Sequence, residues 1–145
     1  MTSIPESALV VEDRKTFQMM FDEALQKQGL SVDVSSNLAE ALNLIRRKFY
    51  HVAIVDLALV PGNPADEKNE DGLQVLADLD ARREGTASIL ITAYGTFRKA
   101  RDASHFNAFD LLEKEGLTPT ALSETIAKAL VESRRHASRS IEGVD

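Results

Sequence analysis

The sequence predicts an α/β fold, a doubly wound five-stranded parallel sheet. Two observations carry it. Five short apolar runs alternate with five longer stretches, and in all but the weakly patterned fourth the apolar residues recur at three-to-four spacing. Each stretch is also long enough for the right-handed crossover that joins parallel strands, which sends helices to both faces of the sheet.

The first strand is expected over residues 8–11, in "ALVVED", a run that suits burial on both faces and ends in two carboxylates. Over residues 14–28, Phe17, Met20, Phe21, Ala24, Leu25 and Gln28 form an amphipathic stripe with Gly29 as a C-terminal cap. "LSVDVS" alternates, giving a second strand with Leu30, Val32 and Val34 on one face. Asn37, with Glu40 three residues on, resembles a capping box, and the helix it opens is expected to carry Leu38, Ala41, Leu42, Ile45 and Phe49.

"VAIVDL" is the third strand, and Leu73, Leu76 and Leu79 mark a helix ending before Gly85. "SILITA" is the fourth strand, followed by a weakly patterned helix over residues 96–106. "AFDLLE" is the fifth strand. Thr118 and Pro119 then give an N-cap and a first-turn proline, and Leu122, Ile126, Ala129 and Leu130 make the stripe of the last helix. The domain is expected over residues 8–135, with an N-terminal extension over 1–7 and a polar tail or linker over 136–145.

Composition bounds the function. The 145 residues suit one domain, and a hydrophobic fraction of 43% is ample for its core. A net charge of -6, from 17 basic and 23 acidic residues, disfavours broad binding to nucleic acid or to an anionic membrane. With no cysteine, thiolate metal sites and disulfides are excluded, and a cytoplasmic setting is the natural expectation. No apolar run approaches the ~20 residues of a membrane-spanning helix, and the N-terminus lacks the pattern of a signal peptide. The histidines His51, His105 and His136 have no metal-ligand spacing.

In an open parallel sheet, ligands gather outside the carboxyl ends of the strands. There the first strand delivers Glu12 and Asp13, the third Asp56, the fourth Thr92 and the fifth Lys114. Clustered carboxylates repel unless a cation sits among them. Oxygen donors without imidazole or thiolate suit Mg²⁺, which commonly recruits phosphate. An aspartate can be the nucleophile of phosphoryl transfer, a lysine can pair with the same oxygens, and a threonine hydroxyl can donate to a phosphate once it is there.

This constellation, with Asp71-Gly72, "ITAYG" and "AFDLLEK", resembles the receiver domain of two-component response regulators, the CheY-like superfamily, over residues 8–134. The resemblance implies a (βα)5 flavodoxin-like receiver fold. It also implies Asp56 as phospho-acceptor, Glu12, Asp13, Asp56 and the Ala58 carbonyl as Mg²⁺ ligands, Thr92 as the switch hydroxyl and Lys114 as the family's lysine. The implied partners are a sensor histidine kinase or histidine phosphotransfer protein and a downstream protein or a second copy, with no nucleic acid or membrane bound directly. The only catalysis implied is of its own phosphorylation and dephosphorylation. The ten residues after Arg135 are too few for an output domain, so the expectation is a stand-alone regulator or a receiver from a longer chain.

Three departures from the family stand out. Lys114 is followed by Glu115 where proline after a cis bond is usual; a cis bond before a non-proline residue costs ~3–4 kcal/mol, so a trans bond is expected. Leu111 stands where a switch Tyr or Phe is common. An acidic insertion within residues 60–70 lengthens the segment before Asp71-Gly72; it reads as a solvated loop or as a rim of the pocket, and Tyr94 as a rim residue or an exposed aromatic at a helix start. These departures motivate the alternative of a pseudo-receiver, an interaction module without a phosphoryl cycle. A haloacid-dehalogenase-type phosphatase needs a second aspartate two residues after the first, and Ala58 stands there.

Overall fold

The computed structural model describes residues 5–59, 71–93 and 97–142. The insertion and Tyr94 lie outside these residues. The elements alternate as β1 (Ser7–Val11), α1 (Lys15–Gln26), β2 (Ser31–Ser35), α2 (Leu38–Arg47), β3 (Val52–Asp56), α3 (Asp71–Arg82), β4 (Ala87–Thr92), α4 (Phe97–His105), β5 (Asp110–Glu113) and α5 (Pro119–Glu142). The five strands form one parallel sheet in the order β2-β1-β3-β4-β5.

Side-chain alternation along the strands divides the interior in two. Ala8, Val10, Val52, Ile54, Ile89 and Ile91 face α1 and α5, where they meet Phe21, Leu25, Leu122 and Ile126. Leu9, Val11, Ala53, Val55 and Leu90 face the other way, against Ala41 and Ile45 of α2, Val75 and Leu76 of α3, and Ala103 of α4. β1, β3 and β4 are buried along their whole lengths, which is why their sequences are runs of aliphatic residues without polar alternation.

Local signals set the helix ends. Asn37 Oδ1 accepts the Glu40 N–H at 2.8 Å, so the N-cap half of the expected box is formed. Thr118 Oγ1 accepts the Ala121 N–H at 3.1 Å in the same manner. Gly29, at φ +84°, sits in the left-handed conformation just past α1.

Several boundaries differ from the sequence reading. Val34 is 36% exposed, because β2 is an edge strand of which Val32, with Leu30 just ahead of the strand, joins the α1 side of the core. Phe49 is not in α2: Lys48 turns extended at φ -145°, and Phe49 packs edge-on against His51 at 4.8 Å. α5 continues past Arg135 to Glu142, so part of the segment expected as a tail is helical. No glycine or proline interrupts the chain between Pro119 and Gly143, and an existing helix propagates at little cost. Arg134 on α5 pairs with Glu6 ahead of β1, and His136 lies against Gly85, where a Cβ would meet the imidazole Cδ2 at 2.4 Å.

Candidate functional site

The strand order reverses between β1 and β3: the chain steps outward from β1 to β2 on one side and through β4 to β5 on the other. A crevice opens at the carboxyl ends of the strands at such a reversal. Glu12 and Asp56 flank it.

Strand pairing carries the functional residues to one mouth. The Glu12 N–H donates to Ser35 O at 3.0 Å, extending the β1–β2 ladder one residue beyond Val11. Glu12 thus continues the Ala8–Val10 row, and Asp56 continues the Val52–Ile54 row, both on the α1/α5 side. The Lys114 N–H donates to Thr92 O at 2.8 Å, so Lys114 likewise continues the Leu112 row past the end of β5. Residues 12, 56 and 114, far apart in sequence, therefore converge by period-two alternation alone.

Lys114 Nζ donates to Glu12 Oε1 at 2.9 Å and to Asp56 Oδ2 at 3.1 Å. The side chains are nearly closed to solvent, 11% exposed for Lys114, 0% for Glu12 and 5% for Asp56. Asp13, half-buried, brings a carboxylate oxygen within 4.8 Å of those of Glu12 and Asp56. The Ala58 N–H donates to Asp56 Oδ1 at 3.3 Å, and the Arg14 N–H to Glu12 Oε1 at 3.3 Å.

The electrostatics follow from burial. Desolvation, then the neighbouring Asp56 carboxylate, pushes Glu12 up to about 8, and the Lys114 ammonium pulls the other way. One ammonium does not compensate three carboxylates. Glu12 Oε2 is buried with no hydrogen-bond partner among the described residues. An orphaned carboxylate oxygen, beside two more carboxylates and with no nitrogen or sulfur donor, fits a hard divalent cation.

Thr92 is 2% exposed at the end of β4, at the same edge. Its neighbour Ile91 pairs in register with Asp56. The peptide bonds of the described residues are all trans, including the one after Lys114. Leu111 is half-buried and packs into the α2/α3/α4 side of the core.

Three residues at the site were not assigned a role there from sequence. Phe17, read only as part of an apolar stripe, lies 4.4 Å below the Lys114 ammonium. Gln18 donates from Nε2 to Glu12 O at 2.6 Å and to Ser36 Oγ at 3.1 Å, tying together the loops after β1 and β2. Gly72, at the start of α3, approaches β3 so closely that a Cβ would stand 2.3 Å from Asp56 O. The Asp-Gly pair was the only available signal for that contact; neither of the other two residues has a sequence signature.

The described residues thus place three carboxylates and a nearly closed-off lysine at one mouth of a doubly wound sheet. The family described as "Response regulator receiver domain" matches residues 8–127, and the chain belongs to that family. It is 28% identical over 109 residues to the acid tolerance regulatory protein ActR of Rhizobium meliloti, covering 75% of this chain and 52% of that protein. It is 30% identical over 108 residues to the photosynthetic apparatus regulatory protein RegA of Cereibacter sphaeroides, covering 74% and 54%. The chain thus spans about half the length of these curated relatives.

Among solved structures, a CheY-like response regulator receiver domain protein from Methanospirillum hungatei superposes with a TM-score of 0.76 at 22% identity, covering 90% of this chain and 97% of that one. A response regulator from Burkholderia pseudomallei, solved with a phosphorylated aspartic acid, calcium ion and citrate, has a TM-score of 0.69 at 24% identity, covering 94% and 74%. Both share the fold. The chain is a receiver domain of two-component signalling. No helix among the described residues is long and apolar enough to cross a membrane.

Proposed function

We propose that this receiver takes a phosphoryl group from a phosphohistidine onto Asp56 and thereby switches a protein-interaction face. The observation that carries the reading is the Lys114 ammonium bridging Glu12 and Asp56 beside an orphaned Glu12 Oε2. A nucleophilic carboxylate, a fixed positive charge and a cation-shaped deficit stand at one mouth.

In the proposed step a carboxylate oxygen of Asp56 forms the new O–P bond in line as the P–N bond to the donor imidazole breaks. The histidine leaves as imidazole and takes up a proton. Lys114 keeps its charge within reach of the transferred oxygens, where it offsets charge developing on them. The Glu12, Asp13 and Asp56 carboxylates and the Ala58 carbonyl would hold Mg²⁺, which supplies charge neutralisation at the phosphoryl group. The same pocket, opened to water, returns Asp56 to the free carboxylate.

Thr92, at the edge of β4, donates its hydroxyl to the new phosphate. That biases the β4–β5 side, including the helix around Arg98 and Ala103, toward a second conformation that binds a downstream protein or a second copy. The phosphoryl source is a sensor histidine kinase or a histidine phosphotransfer protein, and the setting is the cytoplasm. The acidic balance argues against direct contact with nucleic acid.

The test is the intact mass of the chain after incubation with acetyl phosphate, with Mg²⁺ and with EDTA. A phosphoryl adduct that requires Mg²⁺ and is lost in Asp56→Ala supports the reading. No adduct with Mg²⁺ present favours the second reading, an interaction module without a phosphoryl cycle. That alternative draws on Leu111, which packs into the core where the family commonly has an aromatic switch residue.

A further inference from the structure

We propose that Phe17 is a positioning residue whose ring seats the Lys114 ammonium and holds it between Glu12 and Asp56. The inference rests on the role assigned above to Lys114.

Lysine is a poor choice for a fixed charge: its four-carbon stem is flexible and its ammonium is strongly hydrated. Something must order it. Hydrogen bonds hold the backbone, where the Lys114 N–H bonds Thr92 O at 2.8 Å and Lys114 O accepts the Leu117 N–H at 3.3 Å, but neither fixes the side chain. Immediately beyond, the chain turns through exposed Glu115 and Gly116, the latter at φ +76°. The order must therefore come from the walls around the side chain.

Two walls are the carboxylates of Glu12 and Asp56. The third is Phe17, with Nζ 4.4 Å from the ring centroid, within the range where the negative face of an aromatic ring attracts a cation. The ring is itself braced. Phe17 lies 5.9 Å from the ring of Phe21 one helical turn along α1, and Phe21 is fully buried in the core shared with α5. Side chains at positions i and i+4 share a helix face, so the residue that anchors α1 to the sheet also fixes the seat.

The ring does two things that a carboxylate cannot. It excludes water from one side of the ammonium without adding charge, which strengthens the pairing with Asp56. It also stays in place whatever happens to Glu12. When the Glu12 carboxylate turns to a divalent cation, Lys114 loses one of its two acidic partners and keeps its ring, so its charge stays over Asp56.

The test uses the full chain with Phe17→Leu, which keeps an apolar side chain of similar bulk, and Phe17→Tyr, which keeps the ring. The direct readout is the NMR shift of the Lys114 side-chain methylenes nearest the ammonium, which a ring face at this distance moves upfield. The second is the rate of adduct formation from acetyl phosphate at saturating Mg²⁺. The seat predicts an upfield shift present in wild type and the Tyr variant and absent in the Leu variant. It also predicts a rate about fivefold to thirtyfold lower for Leu, with Tyr within about twofold of wild type.

Absence of the upfield shift in the wild type overturns the seat whatever the rates. Equal rates in the Leu variant and wild type overturn its positioning role while leaving phosphoryl transfer intact. A wild type that shows the shift yet forms no adduct supports the seat and sinks the phosphoryl reading, so the two failures are separable. A Leu variant that does not fold leaves the Tyr variant as the measure: loss of the shift or of the rate there overturns the proposal.

Discussion

Replacing Gly72 with alanine is expected to destabilise the protein although helix propensity points the other way. Gly72 lies in the first turn of α3, where alanine would ordinarily be favoured by about 1 kcal/mol. Its added Cβ, however, would stand 2.3 Å from Asp56 O and 2.7 Å from Leu57 Cα, both well inside ordinary contact, which begins near 3.4 Å. Both are backbone atoms and cannot rotate away. Moreover, the Gly72 N–H donates to Leu57 O at 2.9 Å, so α3 cannot withdraw without losing that bond.

Overpacking of this kind costs about 1–3 kcal/mol net, which corresponds to a fall in Tm of roughly 2–4 °C per kcal/mol for a chain near this size. Urea denaturation followed by circular dichroism measures it. The adduct rate should fall as well, since relief of the clash displaces the peptide that carries Asp56. An alanine variant as stable as wild type, or more so, would refute the close approach of α3 to β3.

Two further outcomes concern the charges at the mouth. Glu12 holds its proton more tightly folded than unfolded, so its contribution to stability is full below its ordinary value near 4.5 and is lost as pH rises through about 8. Without divalent cation, stability measured by denaturant titration should decline across that interval, and millimolar Mg²⁺ should offset the decline at its upper end by occupying the ionised carboxylates; a flat profile without Mg²⁺ contradicts the burial of Glu12. Lys114→Met removes the ammonium that competes for Glu12 and Asp56. It should tighten Mg²⁺ binding, followed by NMR titration, and slow adduct formation by about a hundredfold; a variant that reacts at the wild-type rate removes Lys114 from the mechanism.

The sequence yields the element order because three central strands, buried on both faces, must be aliphatic runs, and because caps such as Asn37 and Thr118 act locally. It misleads where the third dimension decides. Val34 has the pattern of a core residue and lies exposed, because an edge strand is covered by only part of a helix. The last helix outruns its apolar stripe, since nothing in residues 136–142 breaks a helix, and amphipathic periodicity reports packing, not helicity.

At the site, the acids and Lys114 were legible because strand ends in a parallel sheet face one edge. The parts that hold them were not. Phe17 is an ordinary stripe residue until the fold carries residue 114 above it, and the hold of Gln18 on the Glu12 carbonyl depends on how two loops meet. The trans bond after Lys114 was expected from the energetics of non-proline peptides, and the structure has it.

The most direct measurement of the central claim is the position of the phosphoryl group. Borohydride reduces an acyl phosphate to the alcohol, leaving a stable mark that fragmentation mass spectrometry assigns to one residue. After incubation with acetyl phosphate and Mg²⁺, the account predicts that mark at residue 56 and nowhere else in the chain. A mark on another carboxylate, or none at all, would contradict it.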